Sequence, residues 1–297
     1  MSTLSPPAPL TAARVRGRRR AEAPARVDPL GWIVGACVAA SAVMLFLVPL
    51  LWAFFTSLKE DRDITAFPPT LFPSSITFEH YSTTWSSMDF PRLLMNTVIF
   101  AGGVTILALV CDSLAAYALA RIDFPGRNVI FVLILVTLMI PGQITLVPLF
   151  NLVNGLNLLN TYGGLILPRA ADAFGIFLLR QFFLSIPRDL EDAARIDGAS
   201  ELRIFARIVV PLSKPALLTL GLFIFMANWN DLLWPLIMST DGSLATLPSG
   251  LASFIGQHVT DYGPLMGGSV LAMLPMFVAF LFVQRSFIQS IASTGIK

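Results

Sequence analysis

The chain has 297 residues, of which 55% are hydrophobic and 13% are charged, and its mean hydropathy is +0.74. Soluble domains carry about 25% charged residues, and a water-exposed fold this apolar would present large adhesive patches. The composition therefore excludes an ordinary soluble domain and predicts an all-α, polytopic membrane protein. The net charge of +2 decides little, because the placement of the charges matters more than their sum.

Six apolar segments are long enough to cross a bilayer, which takes about 20 residues. They cover about residues 30–56, 94–120, 129–152, 162–185, 215–238 and 266–286. A secretory signal is the alternative for the first segment, since Ala40-Ser41-Ala42 resembles a cleavage site. The apolar run continues well beyond that site, however, whereas a signal core has about 7–15 residues. We therefore predict an uncleaved first span and a transmembrane domain over residues 29–297.

Basic residues predict the orientation, because loops rich in Lys and Arg stay in the cytoplasm. They concentrate in the N-terminal tail, in the connections after spans 2 and 4, and at the C-terminal end: Arg14, Arg16, Arg18, Arg19, Arg20 and Arg26; Arg121 and Arg127; Arg188, Arg195, Arg203, Arg207 and Lys214; Arg285 and Lys297. The opposite connections contain only Lys59, Arg62 and Arg92. The pattern predicts a multi-pass protein of a bacterial-type inner or plasma membrane with both termini in the cytoplasm. Residues 1–28, rich in Ala, Pro and Arg, are predicted to form a disordered basic tail near anionic lipid.

A charged, helix-forming island runs from Pro187 to Pro215, between two apolar segments. Three acidic residues favour a helix start there, because negative charge stabilises the positive end of the helix dipole. These are Asp189, Glu191 and Asp192. Asp197-Gly198 then predicts a stop and a turn, and Ser200 begins a second, amphipathic helix that ends before Pro211. The island is either a hairpin resting on lipid headgroups or a docking element for a cytosolic protein.

The spacing within this island resembles a known motif. Asp192-Ala193-Ala194-x-x-x-Gly198, followed by Ile208-Val209-Val210-Pro211, is similar to the EAA loop of ATP-binding-cassette importer permeases. Asp192 stands where Glu is usual and Val210 where Leu is usual, and the adjacent Glu191 is a candidate to share the acidic role. Other segments over residues 30–297 resemble the carbohydrate branch, specifically the shorter, six-span permease of maltose- and glycerol-phosphate-type importers. These are Asn96-Thr97, Ala115–Arg127, Met139–Pro141, Leu158–Pro168, Phe177–Phe183, Trp229–Leu236 and Gln284–Ile291.

The resemblance implies that the loop at about 187–211 is a coupling helix seated in a cytosolic ATPase. Its site residues would be Glu191, Asp192, Ala193, Ala194, Asp197, Gly198, Arg203, Ile208 and Pro211. The implied partners are a second permease, usually a different chain, two copies of the ATPase, and an extracytoplasmic substrate-binding protein. The chain has no G-x-x-x-x-G-K-[ST] phosphate loop, so ATP and Mg²⁺ would bind the ATPase, and no cofactor, catalytic residue or nucleic-acid partner is predicted here.

Polar residues at membrane depth are candidates for the wall of a solute cavity, since a charge inside a span costs about 2.5–3.5 kcal/mol. They are Asp112, Arg169, Asp172, Asn228, Trp229, Asn230 and Asp231. Arg169 and Asp172 are three residues apart and are expected to pair on one helix face, either to stabilise the bundle or to bind a polar or phosphorylated solute. The amides, carboxylate and ring of 228–231 suit a polyol or, alternatively, helix packing and an interfacial Trp belt.

Two other classes of function remain open at this point. An ion-gradient-driven secondary transporter would show inverted repeats and broken helices, and Asp112 would be its proton site. A membrane scaffold or receptor would not need an amphipathic two-helix island with this spacing. A metal site is not predicted, because His80 and His258 lie far apart in the sequence.

Overall fold

The computed structural model describes residues 29–256 and 260–294. The predicted basic tail (1–28), together with His258 and Lys297, lies outside the described residues. The residues up to Pro49 and those from Leu50 onward form two separate units. Across the described ranges, β pairing is limited to an isolated bridge between Ile255 and Thr260, which agrees with the all-α prediction.

Helices make up most of the described chain. They are α1 (Pro29–Thr56), α2 (Asp61–Ile64), α3 (Glu79–Ser87), α4 (Phe90–Arg121), α5 (Arg127–Thr137), α6 (Gly142–Gly155), α7 (Tyr162–Ile166), α8 (Ala173–Ser185), α9 (Asp189–Ile196), α10 (Glu201–Ile204), α11 (Val210–Leu212), α12 (Lys214–Trp229), α13 (Leu233–Met238), α14 (Leu247–Ala252) and α15 (Tyr262–Thr294). A 3₁₀ turn at Leu167–Arg169 continues α7, and a π-helical turn at Phe205–Val209 joins α10 to α11.

Among the described residues, three helical stretches are long and apolar enough to cross a membrane without a break: Ile33–Thr56, Phe90–Arg121 and Tyr262–Phe282. Three bent pairs raise the total to as many as six crossings: α5 with α6 (101°), Tyr162–Arg169 with α8 (47°), and Glu201–Leu212 with α12 (79°). Pro141, Pro168 and Pro215 lie at or beside these bends, where proline removes a backbone hydrogen bond. Two of these bends fall within the predicted third and fourth spans, and the third falls just before the predicted fifth span.

The fifth predicted span, 215–238, differs most from the structure. It divides into α12 and the short α13, with a break at residues 230–232. The second helix of the charged island also differs, because it passes through its π-helical turn and Pro211 to Leu212 instead of ending before the proline. Pro211 follows directly on the π-helical turn, where the regular hydrogen-bond pattern of the helix is already interrupted.

The core is built around α4, which packs against α8 and α12. Its buried face recurs every fourth residue, the spacing of one helical ridge. The residues on this ridge are Phe100, Val104, Ala108, Ala116 and Ala120. Alanines on a ridge let neighbouring helices approach closely. Leu179 of α8 and Leu220 of α12, both fully buried, complete the same cluster.

The connection between α1 and α4 folds against α15. Lys59 Nζ donates to the carbonyl of Thr70, and a ring nitrogen of His80 hydrogen-bonds the carbonyl of Lys59 at 2.7 Å. Thr84 Oγ1 donates to the carbonyl of Pro264 at 2.8 Å, which joins α3 to α15. A Cβ on Gly263 would come within 2.2 Å of His80 Cε1, so this close approach requires glycine.

Candidate functional site

A cavity of about 660 Å³ opens where the bent helices break. Its polar wall comes from four places in the sequence: Gln143 and Thr145 of α6, Arg169 and Asp172 around the break before α8, Asn228 near the end of α12, and Asp231 before α13. Breaks position these side chains because the chain changes direction there and turns backbone and polar groups toward the interior.

Arg169 forms the centre of this wall. Its guanidinium contacts an Asp231 carboxylate oxygen at 2.5 Å and donates from Nη1 to Asn228 Oδ1 at 2.7 Å. Its planar face lies over the rings of Trp234 (5.1 Å) and Phe100 (5.9 Å), a cation–π arrangement. The guanidinium is therefore paired, hydrogen-bonded and stacked, which holds it in one orientation.

The expected pair between Arg169 and Asp172 does not form. The helix is interrupted between them, so the three-residue spacing no longer places them on one face, and Arg169 pairs with Asp231 instead. The backbone N–H of Asp172 donates to Asp112 Oδ1 at 2.8 Å. Asp112 is fully buried on α4, behind the cavity wall and not part of it, which corrects its place among the cavity candidates.

The four residues 228–231 point in different directions, because α12 ends at Trp229. Asn228 and Asp231 face the cavity, whereas Trp229 is buried on another side and donates its indole N–H to the carbonyl of Ala272 at 3.2 Å. Asn230 is exposed and donates to the carbonyl of Met226 at 2.8 Å. Neither Trp229 nor Asn230 lines this cavity, so a sugar bound there would not stack on Trp229. Trp234 lies behind Arg169 and is fully buried, and its indole N–H donates to the carbonyl of Leu165 at 2.9 Å.

Gln143 and Thr145 line the cavity although they were not among the predicted cavity residues. They follow Pro141 at the start of α6, within the predicted third span. The signal that would have found them is a proline followed by polar residues inside an apolar run, since a broken helix tolerates polar groups where it lines a cavity.

The charged island forms two helices joined at a glycine. Three acidic residues occupy the first turn of α9, and Asp197 ends it. Gly198 has φ +79°, a left-handed conformation that costs other residues about 1–2 kcal/mol. Ser200 begins α10 as predicted, although its side chain makes no capping hydrogen bond. Asp197-Gly198 is therefore the predicted stop and turn.

The outer surface of this hairpin carries exposed charges of both signs together with exposed apolar side chains. Ile196 is 87% exposed and Leu202 is 68% exposed. The motif residues exposed around them are Asp192, Ala193, Asp197, Gly198, Arg203 and Pro211, while Ala194 and Ile208 are half-buried. Exposed apolar side chains on an otherwise charged element mark a surface that another molecule covers.

Glu191 does not belong to that surface. Its side chain is 1% exposed and its carboxylate contacts Arg121 Nε of α4 at 2.8 Å, where Arg121 is 2% exposed. A carboxylate covered by its own chain cannot contact a docked protein, so the expectation that Glu191 shares the outward acidic role of Asp192 needs correction. Adjacent residues of a helix point about 100° apart, so Glu191 turns toward α4 while Asp192 faces outward.

Arg195 connects the two helices of the hairpin. Its guanidinium contacts Asp192 at 2.7 Å, Glu201 at 2.7 Å and Glu191 at 3.5 Å. Hydrogen bonds to Glu201 and Asp192 raise the pKa of Arg195. The pKa of Glu201 is lowered below its ordinary value, mainly by the hydrogen bond from Arg195 and to a smaller extent by the hydrogen bond from Tyr117.

The parts of the chain that the structure describes hold no group of three or more His, Cys, Asp and Glu side chains placed to bind a metal ion. The candidate sites are a membrane-depth cavity lined by the Arg169–Asp231 ion pair and an exposed, charged hairpin. This combination fits a transport protein that receives work from another subunit.

Comparison with known proteins identifies the class. Residues 112–293 match the family described as Binding-protein-dependent transport system inner membrane component. The chain belongs to this family, and it is a membrane permease subunit of an ATP-binding-cassette importer, a transport subunit and not an enzyme. These findings favour the importer over an ion-gradient-driven transporter.

Among its relatives, the chain is 37% identical to the arabinooligosaccharides transport system permease protein AraQ of Bacillus subtilis (strain 168), over 86% of this chain and 92% of AraQ. It is also 37% identical to the sn-glycerol-3-phosphate transport system permease protein UgpE of Salmonella typhi, over 85% of this chain and 92% of UgpE. A chain of a bacterial ABC transporter involved in import of the acidic polysaccharide alginate superposes with a TM-score of 0.78 at 26% identity, covering 88% of this chain and 98% of that one.

Proposed function

We propose that this chain forms one half of the translocation pathway for a sugar or sugar- or polyol-phosphate-type solute, and that its hairpin at 187–211 docks on a cytosolic ATPase. The observation that carries the proposal is the hairpin itself. It presents charged and apolar side chains outward, among them Asp192, Ile196 and Leu202.

The cavity chemistry supports a polyhydroxylated solute. Arg169 and Asn228 offer donors, Asp231 and Asp172 offer acceptors, and Phe174, which is 42% exposed, offers an aromatic face. Hydroxyl groups hydrogen-bond to such donors and acceptors, while the CH face of a sugar packs on a ring. The relatives' names point the same way, since they describe transport of arabinooligosaccharides, sn-glycerol-3-phosphate and alginate.

The hairpin surface supports an ATPase whose docking cleft is apolar at its base and charged at its rim. Ile196 and Leu202 would fill the base, and Asp192 and Asp197 would meet basic groups of the rim. Closure of two ATPase subunits on ATP would draw the hairpins together and open the cavity outward, and hydrolysis would reset it. ATP and Mg²⁺ would bind those subunits, because the chain carries no phosphate loop.

The remaining partners follow from the same proposal. A second permease, expected to be a different chain, would supply the other half of the pathway, and an extracytoplasmic binding protein would deliver the solute. A related transporter of 16% sequence identity was solved in complex with an alginate pentasaccharide-bound periplasmic protein. The distribution of Lys and Arg supports cytoplasmic termini and a cytoplasmic hairpin in a bacterial inner or plasma membrane.

Capture of the ATPase tests the docking role. The tagged chain, co-expressed with the other importer subunits, is purified from detergent-solubilised membranes, and the captured subunit is identified by ATP hydrolysis and mass spectrometry. Asp192→Arg is expected to reduce capture about tenfold or more, because a reversed charge at a docking surface costs several kcal/mol. Asp261→Arg, a reversal at an exposed aspartate outside the hairpin, serves as the matched control. Equal capture by the parent and both variants would contradict the docking role.

A further inference from the structure

The last turn of α4 carries two side chains that both reach the charged hairpin. Tyr117 and Arg121 are four residues apart, so they lie one above the other on a single face of the helix. Both are buried although both are polar, which is expensive unless their polar atoms are fully engaged.

Arg121 fixes α9 and the end of α8 together. Its Nε contacts Glu191 Oε1 at 2.8 Å, and its Nη2 donates to the carbonyls of Phe183 and Ile186 at 2.6 Å each. Those carbonyls belong to the last turn and C-terminal end of α8, where helical partners are missing. One guanidinium thus joins three helices, and its planar fork permits little rotation.

Tyr117 fixes the second helix of the hairpin. Its hydroxyl donates to Glu201 Oε2 at 2.7 Å, and its ring packs on Phe205 with centroids 5.2 Å apart. Arg195 closes a ring of five side chains, because it contacts both Glu201 (2.7 Å) and Glu191 (3.5 Å). The ring starts and ends on α4: Arg121, Glu191, Arg195, Glu201 and Tyr117.

The same helix lines the cavity near its midpoint. Val104 and Ala108 of α4 line the cavity. Asp112, one turn further along, accepts from the backbone N–H of Asp172 at the break that carries Arg169. The span is a single unbroken helix, whereas the crossings made from bent pairs change direction.

We propose that α4 transmits displacement of the docked hairpin to the cavity, and that Tyr117 and Arg121 are the positioning residues that join α4 to the hairpin. Glu191 then belongs to this joint and not to the surface that touches the ATPase. The inference rests on the proposed docking function. A buried joint suits this task because exposed ion pairs yield to water and salt, whereas enclosed ones keep their geometry.

The test separates docking from transmission in the fully assembled importer. Arg121→Met combined with Glu191→Met removes the pair but keeps the volume, a replacement that buried pairs tolerate well. Asp123→Leu combined with Arg127→Met removes an exposed pair near the same end of α4 and is the control. Each is made with Cys37→Ser, Cys111→Ser and Thr145→Cys, so that a membrane-impermeant maleimide reports on the cavity.

The labelling rate at position 145 is compared with and without ATP and vanadate. The parent and the control are expected to change about fivefold or more, the size of an ordinary coupling between sites. The Arg121/Glu191 variant is expected to capture and run the ATPase at the parental level while losing most of that change. Continued hydrolysis without a cavity response is an uncoupled state that simple destabilisation would not produce.

Two results would overturn the proposal. A parental labelling response in the Arg121/Glu191 variant would mean that transmission follows another route, and loss of ATPase capture in that variant would place Glu191 in the docking contact. If the double variant does not accumulate, Tyr117→Phe and Glu201→Gln each remove one bond of the ring, and a full response in both would equally contradict it. A parent that captures no ATPase would instead refute the proposed function.

Discussion

Arg169 illustrates how one residue organises the cavity. The guanidinium takes its partners from residues 228–234 and from α4. It contacts the Asp231 carboxylate, the Asn228 amide and the rings of Trp234 and Phe100. A charge at membrane depth is stable only when such partners replace water. The pair therefore both stabilises the bundle and offers polar groups to a solute.

Removing one member of this pair should be costly. Asp231→Asn is expected to destabilise the chain by about 1–3 kcal/mol, because it leaves the Arg169 charge without its counter-ion. Asn230→Ala, whose amide reaches only the carbonyl of Met226 and lies outside the cavity, is the control. Thermal unfolding in detergent measures stability, and solute uptake by cells measures the pathway. Equal uptake and melting temperature in both variants would exclude a central role for the pair.

The lowered pKa of Glu201 makes the stability of the hairpin depend on pH. Hydrogen bonds from Arg195 and then Tyr117 lower this pKa from its ordinary value of 4.5. The unfolded chain therefore binds the proton more readily, and the stability that Glu201 contributes is fully present above pH 4.5 and is lost as pH falls through the folded pKa. Melting temperatures measured from about pH 3 to about pH 7 should fall more steeply below pH 4.5 in the parent than in Glu201→Gln. Glu79→Gln, at an exposed glutamate of α3, is the control, and parallel curves for all three would contradict the argument.

At the scale of elements, the packing of α8 on α4 depends on one glycine. A Cβ on Gly175 would lie 2.2 Å from Asp112 Oδ2 and 3.3 Å from Leu220 Cδ2. Gly102 of α4 has no heavy atom within 4 Å of the corresponding position. Both glycines lie in helices, so the two sites differ in space and not in backbone type.

Gly175→Ala should consequently force α8 away from α4. We expect a loss of about 1–3 kcal/mol from overpacking, seen as a lower melting temperature in detergent. Gly102→Ala is the matched control and should leave the melting temperature unchanged or raise it, since alanine favours helix by about 1 kcal/mol. A Gly175→Ala protein as stable as the parent would show that the helices separate without cost.

At the scale of the whole molecule, the proposed orientation places α3 and the hairpin on opposite sides of the membrane. Single cysteines at Ser86 and Ala193, both exposed, report this on a background lacking Cys37 and Cys111. A membrane-impermeant maleimide should label Ser86→Cys in intact cells, and Ala193→Cys only after permeabilisation. Labelling of Ala193→Cys from outside would reverse the topology and with it the docking proposal.

The sequence by itself determined the class of protein. Apolar runs of spanning length, basic residues on alternate connections and the spacing from Asp192 to Gly198 are local properties, and they do not depend on how helices pack. They were sufficient for an all-α membrane permease, for the approximate spans, and for the stop at Asp197 and the turn at Gly198.

Only the tertiary structure decided which polar groups meet. The expected pair of Arg169 with Asp172 does not form, because the helix breaks between them, and Arg169 pairs with Asp231 instead. Trp229 points away from the cavity, and Trp234 lies behind Arg169. Glu191 was covered by Arg121, a residue of another helix. The direction of a side chain depends on the phase of its helix and on what packs against it, and neither is encoded by spacing along the chain.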